Sequence, residues 1–106
     1  MIELNKDNFD EEVLGSDKPV VIDFWGPNCE PCLALMPQVE ELAEAYGDKI
    51  KFCKVSNVGN RRLCINLKVM ALPTFMAYKN GEEVKRISDH DMTIDDVKAF
   101  IEEVIA

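Results

Sequence analysis

Basic residues are scarce in this chain, 12 against 20 acidic ones, leaving a net charge of −8. A phosphate backbone is repelled by such a surface, so nucleic-acid binding is excluded. Long hydrophobic runs are missing too: nothing approaches the roughly 20 apolar residues that a membrane span requires. The opening Met1-Ile2-Glu3-Leu4-Asn5-Lys6-Asp7 has neither the basic start nor the apolar stretch of a secretory signal, so an intracellular, cytoplasmic protein is expected. There is no internal repeat, low-complexity tract or linker, and 106 residues form one domain, 1–106, large enough for a hydrophobic core without covalent staples. Apolar residues at 47% and charged residues at 30% match a soluble globular protein. Cysteine is sparing at four residues, of which only Cys29 and Cys32 are close in sequence.

The hydrophobic pattern alternates between strand and helix periods. Asn8 to Leu14 reads as a short helix with Phe9 and Val13 on one face. Pro19 to Trp25 is an almost continuous β-branched and aromatic run, the pattern of a strand covered on both faces. Pro31 to Tyr46 reads as a long helix with Met36, Val39, Leu42, Ala43 and Tyr46 along its apolar stripe, ended by Gly47 and kinked at Pro37. Strands are expected at Ile50 to Val55, Thr74 to Tyr78 and Val84 to Ile87, the last two joined by the hairpin turn Asn80-Gly81. A short helix is expected around Arg61 to Leu67. The final helix opens on Thr93-Ile-Asp-Asp96, a capping box, and buries Ile94, Val97, Ile101 and Val104. Helices interleaved with strands imply an α/β fold with a partly parallel sheet, closed by an antiparallel hairpin.

A Cys-x-x-Cys pair can hold zinc, staple a fold or carry electrons. A structural zinc site needs about four ligands, and Cys53, Cys64 and His90 offer no second close pair. A structural disulfide across so small a loop constrains the unfolded chain very little. The redox reading has a positive argument. Cys29 falls where the buried strand ends, and Glu30-Pro31-Cys32 starts the long helix. Pro31 suits a first helical turn, where its missing N–H costs nothing. The free N–H groups and partial positive charge of that terminus favour a thiolate at Cys29, the species that attacks disulfides. Cys32, one turn further on, is placed to resolve the mixed disulfide.

Val21-Ile-Asp-Phe-Trp25, Cys29-x-Pro-Cys32, Pro37, Leu72-Pro-Thr74 and Lys79-Asn-Gly-Glu82 occur in the order and near the spacing of the thioredoxin family, which the chain resembles along nearly its whole length. The resemblance implies the thioredoxin fold, a central mixed β-sheet flanked by helices on both faces, and a protein-disulfide reductase acting as a monomer without bound cofactor or metal. It implies Cys29 as nucleophile, Cys32 as resolving thiol, and Asp23 as a buried carboxyl that takes the proton of Cys32. Desolvation raises such a carboxyl's pKa; an ordinary strand residue is the alternative. Lys54 corresponds to a lysine near that aspartate. Pro73 corresponds to a cis-proline facing the cysteines, and with Ala71 and Leu72 it is expected to line the docking surface for an incoming extended chain. Trp25, Glu30 and Pro31 complete that surface. The implied partners are thioredoxin reductase and disulfide-bearing proteins.

The sequence departs from the usual family pattern around the pair: Asn28 replaces a tryptophan, Glu30 a glycine and Leu33 a lysine, and Ser88-Asp-His-Asp91 lacks the expected glycine. A carboxylate about 7 Å from the sulfur opposes a thiolate by roughly 0.5–1 kcal/mol at a solvated site, so a lower reduction potential than that of a Gly-Pro version is expected. The Glu-Pro pair is similar to thioredoxins of amino-acid-fermenting clostridia, which implies glycine, sarcosine or betaine reductase components as partners. The altered flanks also leave open a binding or scaffold domain without turnover. Cys53 and Cys64 match no functional position, and their pattern does not decide between free thiols and a bridge. His90 reads as an exposed loop residue, whose place near the missing glycine could let it touch partners.

Overall fold

The computed structural model describes residues 1–106. Its elements are β1 (Ile2–Glu3), a π-helical turn (Asp10–Leu14), β2 (Val20–Trp25), α1 (Glu30–Ala45), β3 (Lys51–Ser56), α2 (Arg61–Asn66), β4 (Thr74–Lys79), β5 (Glu82–Ser88) and α3 (Ile94–Ile105). The five strands form one sheet in the order β1-β3-β2-β4-β5. β3 is parallel to β1 and β2, whereas β4 is antiparallel to both β2 and β5. This is the mixed sheet of the thioredoxin fold. No helix is long and apolar enough to cross a membrane.

The central strand β2 is buried on both faces, as its apolar run requires, and each face has its own core. Val21, Phe52, Phe75 and Ala77 pack with Leu35, Val39 and Leu42 of α1 and with Val97, Phe100, Ile101 and Val104 of α3. On the opposite face, Val20, Ile22, Phe24, Cys53, Val55 and Met76 meet Phe9 and Val13 of the π-helical turn and Cys64 of α2. Each fully buried Val, Ile or Phe contributes roughly 1.5–3 kcal/mol through burial, so the two cores together clamp β2 in place.

Several elements differ from their sequence pattern. The helix expected over Asn8 to Leu14 is a π-helical turn beginning at Asp10, because Asn8 is used otherwise: its side chain accepts from the Asn5 N–H and donates to the Glu3 carbonyl. The apolar stripe of α1 runs through Cys32, Leu35, Val39 and Leu42, a 3-4-3 spacing that centres one residue before the expected Met36, which is only half-buried. Phe100 joins the core of α3, and Ile94 sits at its half-buried margin. β1 was not foreseen; a two-residue strand is too short to show a period, and it exists by pairing with Cys53 and Lys54.

The expected turn chemistry is present. Asn80 and Gly81 both take positive φ, 54° and 80°, the left-handed pair of a tight hairpin. Thr93 and Asp96 form the reciprocal capping box that opens α3.

Candidate active site

The sheet ends its parallel half at Trp25, and the chain turns through Gly26 to Cys29 before α1 begins. A Cβ on Gly26 would lie 2.5 Å from Asn57 Oδ1, so any larger residue there would have to displace that exposed side chain. Cys29 is the N-cap of α1: its backbone is extended, and its sulfur accepts the Cys32 N–H at 3.3 Å. Pro31 occupies the first turn. Cys29 and Cys32 are joined by a disulfide with Cα atoms 5.3 Å apart. The two sulfurs differ in access: Cys29 is half-buried, whereas Cys32 is 1% exposed and belongs to the helix face against the sheet. When the bond is reduced, the helix terminus and the Cys32 N–H favour negative charge on Cys29.

Asp23 lies on β2 on the same sheet face as α1, alternating with the core residue Val21. It is 3% exposed, and burial pushes its carboxyl up to about 7 while the nearby Lys54 ammonium pulls it down. Lys54 is directly opposite Asp23 in the parallel β2–β3 register. Its Nζ lies 5.9 Å from the centroid of the Trp25 ring and 3.6 Å from a Glu3 carboxylate oxygen. Asp23, Lys54 and Trp25 are thus neighbours on the sheet face that α1 covers. The Trp25 indole N–H is buried without an acceptor.

The Leu72–Pro73 peptide bond is cis, and Pro73 is buried at the start of β4. Thr74 fixes the preceding turn, its hydroxyl bonding the Ala71 carbonyl at 2.6 Å and the Ser88 hydroxyl at 2.9 Å. Leu72 lies beside Cys29: with Asn28, Cys29, Glu30, Pro31 and His90 it lines an open cavity of about 450 Å³. Ala71 does not line that cavity. It borders an adjoining cleft of about 380 Å³ with Asn57, Cys64, Val69, Met70 and Leu72, at whose lip Met70 is 91% exposed.

Two contributors carry little signal in the sequence. His90, read there as an exposed loop residue whose place near the missing glycine could let it touch partners, forms one wall of the Cys29 cavity. Arg86 of β5 donates to the carbonyls of Leu67 and Lys68 at 2.9 and 3.1 Å and so anchors the segment leading to the proline turn. Both act across long sequence separations; the only local signal was the departure from the family pattern at Ser88-Asp-His-Asp91.

The remaining cysteines lie on the far face of the sheet. Cys53 and Cys64 are buried, unpaired thiols, so the bridge left open by the sequence does not form. Burial pushes Cys53 up to about 11 and raises Cys64 as well. No three His, Cys, Asp or Glu side chains converge in a geometry that could hold a metal ion.

The thioredoxin family model matches residues 1–103. The chain is 41% identical over 105 residues to a thioredoxin of Acetoanaerobium sticklandii, covering 99% of this chain and 100% of that one. It is 41% identical over 101 residues to a thioredoxin of Peptoclostridium acidaminophilum, covering 95% and 92% of the two chains. A thioredoxin 1 from a Nostoc species is 40% identical over 79 residues, 74% of each chain. With a disulfide-forming Cys-x-x-Cys at the strand-to-helix junction of this fold, the chain belongs to the thioredoxin family and is a thiol-disulfide oxidoreductase of protein-disulfide reductase type.

Proposed function

We propose that Cys29 is the attacking sulfur of this oxidoreductase and Cys32 the resolving one, with Asp23 as the proton acceptor for Cys32. The observation that carries the assignment is the asymmetry of the pair: Cys29 caps α1 at the border of the open cavity, while Cys32 is sealed against the sheet. In the first step the Cys29 thiolate attacks one sulfur of a partner disulfide, and the other partner sulfur leaves as a thiolate. In the second, Cys32 gives its proton to Asp23 and attacks Cys29, releasing the first partner sulfur. Two electrons pass to the partner, which becomes a dithiol, and the Cys29–Cys32 disulfide remains. An acceptor raised to about 7 holds its proton weakly enough to accept and release it near neutrality. Lys54 modulates that carboxyl. Trp25, Glu30, Pro31, Ala71, Leu72 and Pro73 form the docking surface, on which the partner lies as an extended segment.

Thioredoxins take electrons from thioredoxin reductase and pass them to disulfide-bearing proteins. For this chain we place the reaction in the cytoplasm, with residues 1–106 working as one monomeric domain. The unpaired Cys53 and Cys64 suit a reducing compartment. The Glu-Pro pair and the identity to thioredoxins of Acetoanaerobium and Peptoclostridium support components of glycine, sarcosine or betaine reductase as the recipients.

A Cys32→Ser variant tests both levels. Mixed with extract, it should retain partners as disulfides on Cys29, and those partners should include subunits of such a reductase. Adducts on Cys53 or Cys64 instead would overturn the residue assignment; adducts on Cys29 with unrelated proteins alone would remove the recipient assignment.

A further inference from the structure

His90 is the chain's only histidine. It is exposed on the loop between β5 and α3 and closes one side of the cavity beside Cys29. The other walls are Asn28, Glu30 and Pro31 at the start of α1 and Leu72 from the proline turn. Because Cys32 is buried behind Cys29, a partner sulfur bonded to Cys29 has to occupy this open side. Of the side chains lining it, Glu30 and His90 are the ones able to carry charge besides Cys29 itself; Asp89 and Asp91 flank His90 on its own loop. The carboxylate can only accept hydrogen bonds. Asn28 and His90 can donate, and only His90 can donate as a cation.

We propose that His90 assists departure of the partner's sulfur in the second exchange, its ring N–H donating to that sulfur as negative charge builds. The proposal rests on Cys29 being the attacking thiol. As the Cys32 thiolate attacks the Cys29 sulfur, the Cys29–Cys32 bond forms and the bond from Cys29 to the partner breaks. The electron pair leaves on the partner sulfur, which takes a proton from the imidazolium or from water, and the imidazole regains its proton from solvent. No further oxidant or reductant is involved. The inner and outer protons are handled separately, by the buried Asp23 on β2 and by His90 at the cavity wall.

Exchange slows as the leaving thiol becomes more basic, so a donor at the mouth matters most for alkyl thiols and least for aromatic ones. The test is single-turnover reaction of the reduced protein with saturating symmetrical disulfides graded in thiol basicity, from dithiobis(nitrobenzoate) to hydroxyethyl disulfide, reading the concentration-independent release of the second thiol. His90→Ala should slow the alkyl disulfide about 3–10-fold more than the aromatic one, the scale of one ordinary hydrogen bond lost at a partly solvated site. The dependence on leaving-group basicity should therefore steepen. His90→Lys, which keeps a cationic N–H donor, should recover most of the loss, and His90→Asn, a neutral donor, less of it. Uniform slowing across the series would show that the ring only shapes the groove, and an unchanged series would show that it does nothing; either overturns the proposal. Wild type reacting through a sulfur other than Cys29 would instead remove the assignment of the attacking thiol, and this proposal with it.

Discussion

Two pairs of cysteines lie on opposite faces of one sheet. Cys29 and Cys32 begin α1 on the face that carries Asp23, and Cys53 and Cys64 sit in the core under the π-helical turn and α2. The outer pair has a helix terminus and a graded exposure, and a buried carboxyl lies on the sheet face that its helix covers. The inner pair has apolar neighbours, and burial lifts both thiols away from their reactive form. Residue type is the same in all four positions, so reactivity here is a property of placement: a sulfur becomes a nucleophile where free N–H groups and an entry path meet it.

The sharpest way to break this comparison is to remove one sulfur from each pair. Cys29→Ser should lower dithiothreitol-driven insulin reduction by at least about 10³-fold, since a hydroxyl cannot replace a thiolate nucleophile at neutral pH. Cys64→Ala should retain turnover per folded molecule. Equal losses in the two variants would mean that the inner pair takes part in electron transfer.

Asp23 distinguishes the two faces by pH. An unfolded aspartate ionises near 3.9, whereas the folded Asp23 does so at about 7. Between these values the native state holds a proton that the unfolded chain has lost, so stability falls as pH rises through that window and is flat above it. Asp23→Asn should abolish this slope and stabilise the oxidised protein at pH 8 by on the order of 4 kcal/mol, read by urea unfolding at pH 4 and pH 8. Its turnover should fall at the same time, because the proposed proton acceptor for Cys32 is gone. Parallel pH–stability curves for variant and wild type would contradict the desolvated carboxyl.

The inner pair should respond in stability alone. Cys53 is 0% exposed, and Cys53→Ser places a hydroxyl among apolar side chains at a cost of roughly 1–3 kcal/mol. Cys64, at the 9% exposed margin of the same core, should cost less on the same change. Urea midpoints measure both, and a larger loss at Cys64 would reverse the burial ranking.

How much of this was legible before the structure follows from the range of each interaction. The redox pair was readable because its chemistry is local: a strand end, a proline in a first turn and two cysteines one turn apart. Asp23 stood out as the one carboxyl in an apolar run, and Asn80-Gly81 announced a hairpin whose two positive φ angles only such residues adopt readily. The placement of Leu72 beside Cys29 was expected from family resemblance alone, since nothing local connects those segments. The shift of the α1 stripe from Met36 to Leu35, the two-residue β1 and the Arg86 anchor depend on which surfaces meet across the sheet. His90 belongs to that class as well: its meaning appears only when the loop before α3 folds against the start of α1.

Glu30 gives the smallest effect and tests how finely the outer pair is tuned. The side chain is exposed and lines the same cavity as Cys29, so its carboxylate opposes the thiolate through solvent and not through the protein interior. Screening limits the opposition to roughly 0.5–1 kcal/mol. Destabilising the thiolate destabilises the reduced state relative to the disulfide, which lowers the reduction potential. Glu30→Gly should therefore raise the potential by about 10–20 mV for this two-electron couple, measured by equilibration against a dithiothreitol redox buffer at one pH. The increment should shrink as salt is added, because both charges lie in reach of counterions. An unchanged or lower potential in the variant would mean that the helix terminus alone sets the charge balance at Cys29 and that the carboxylate serves docking only.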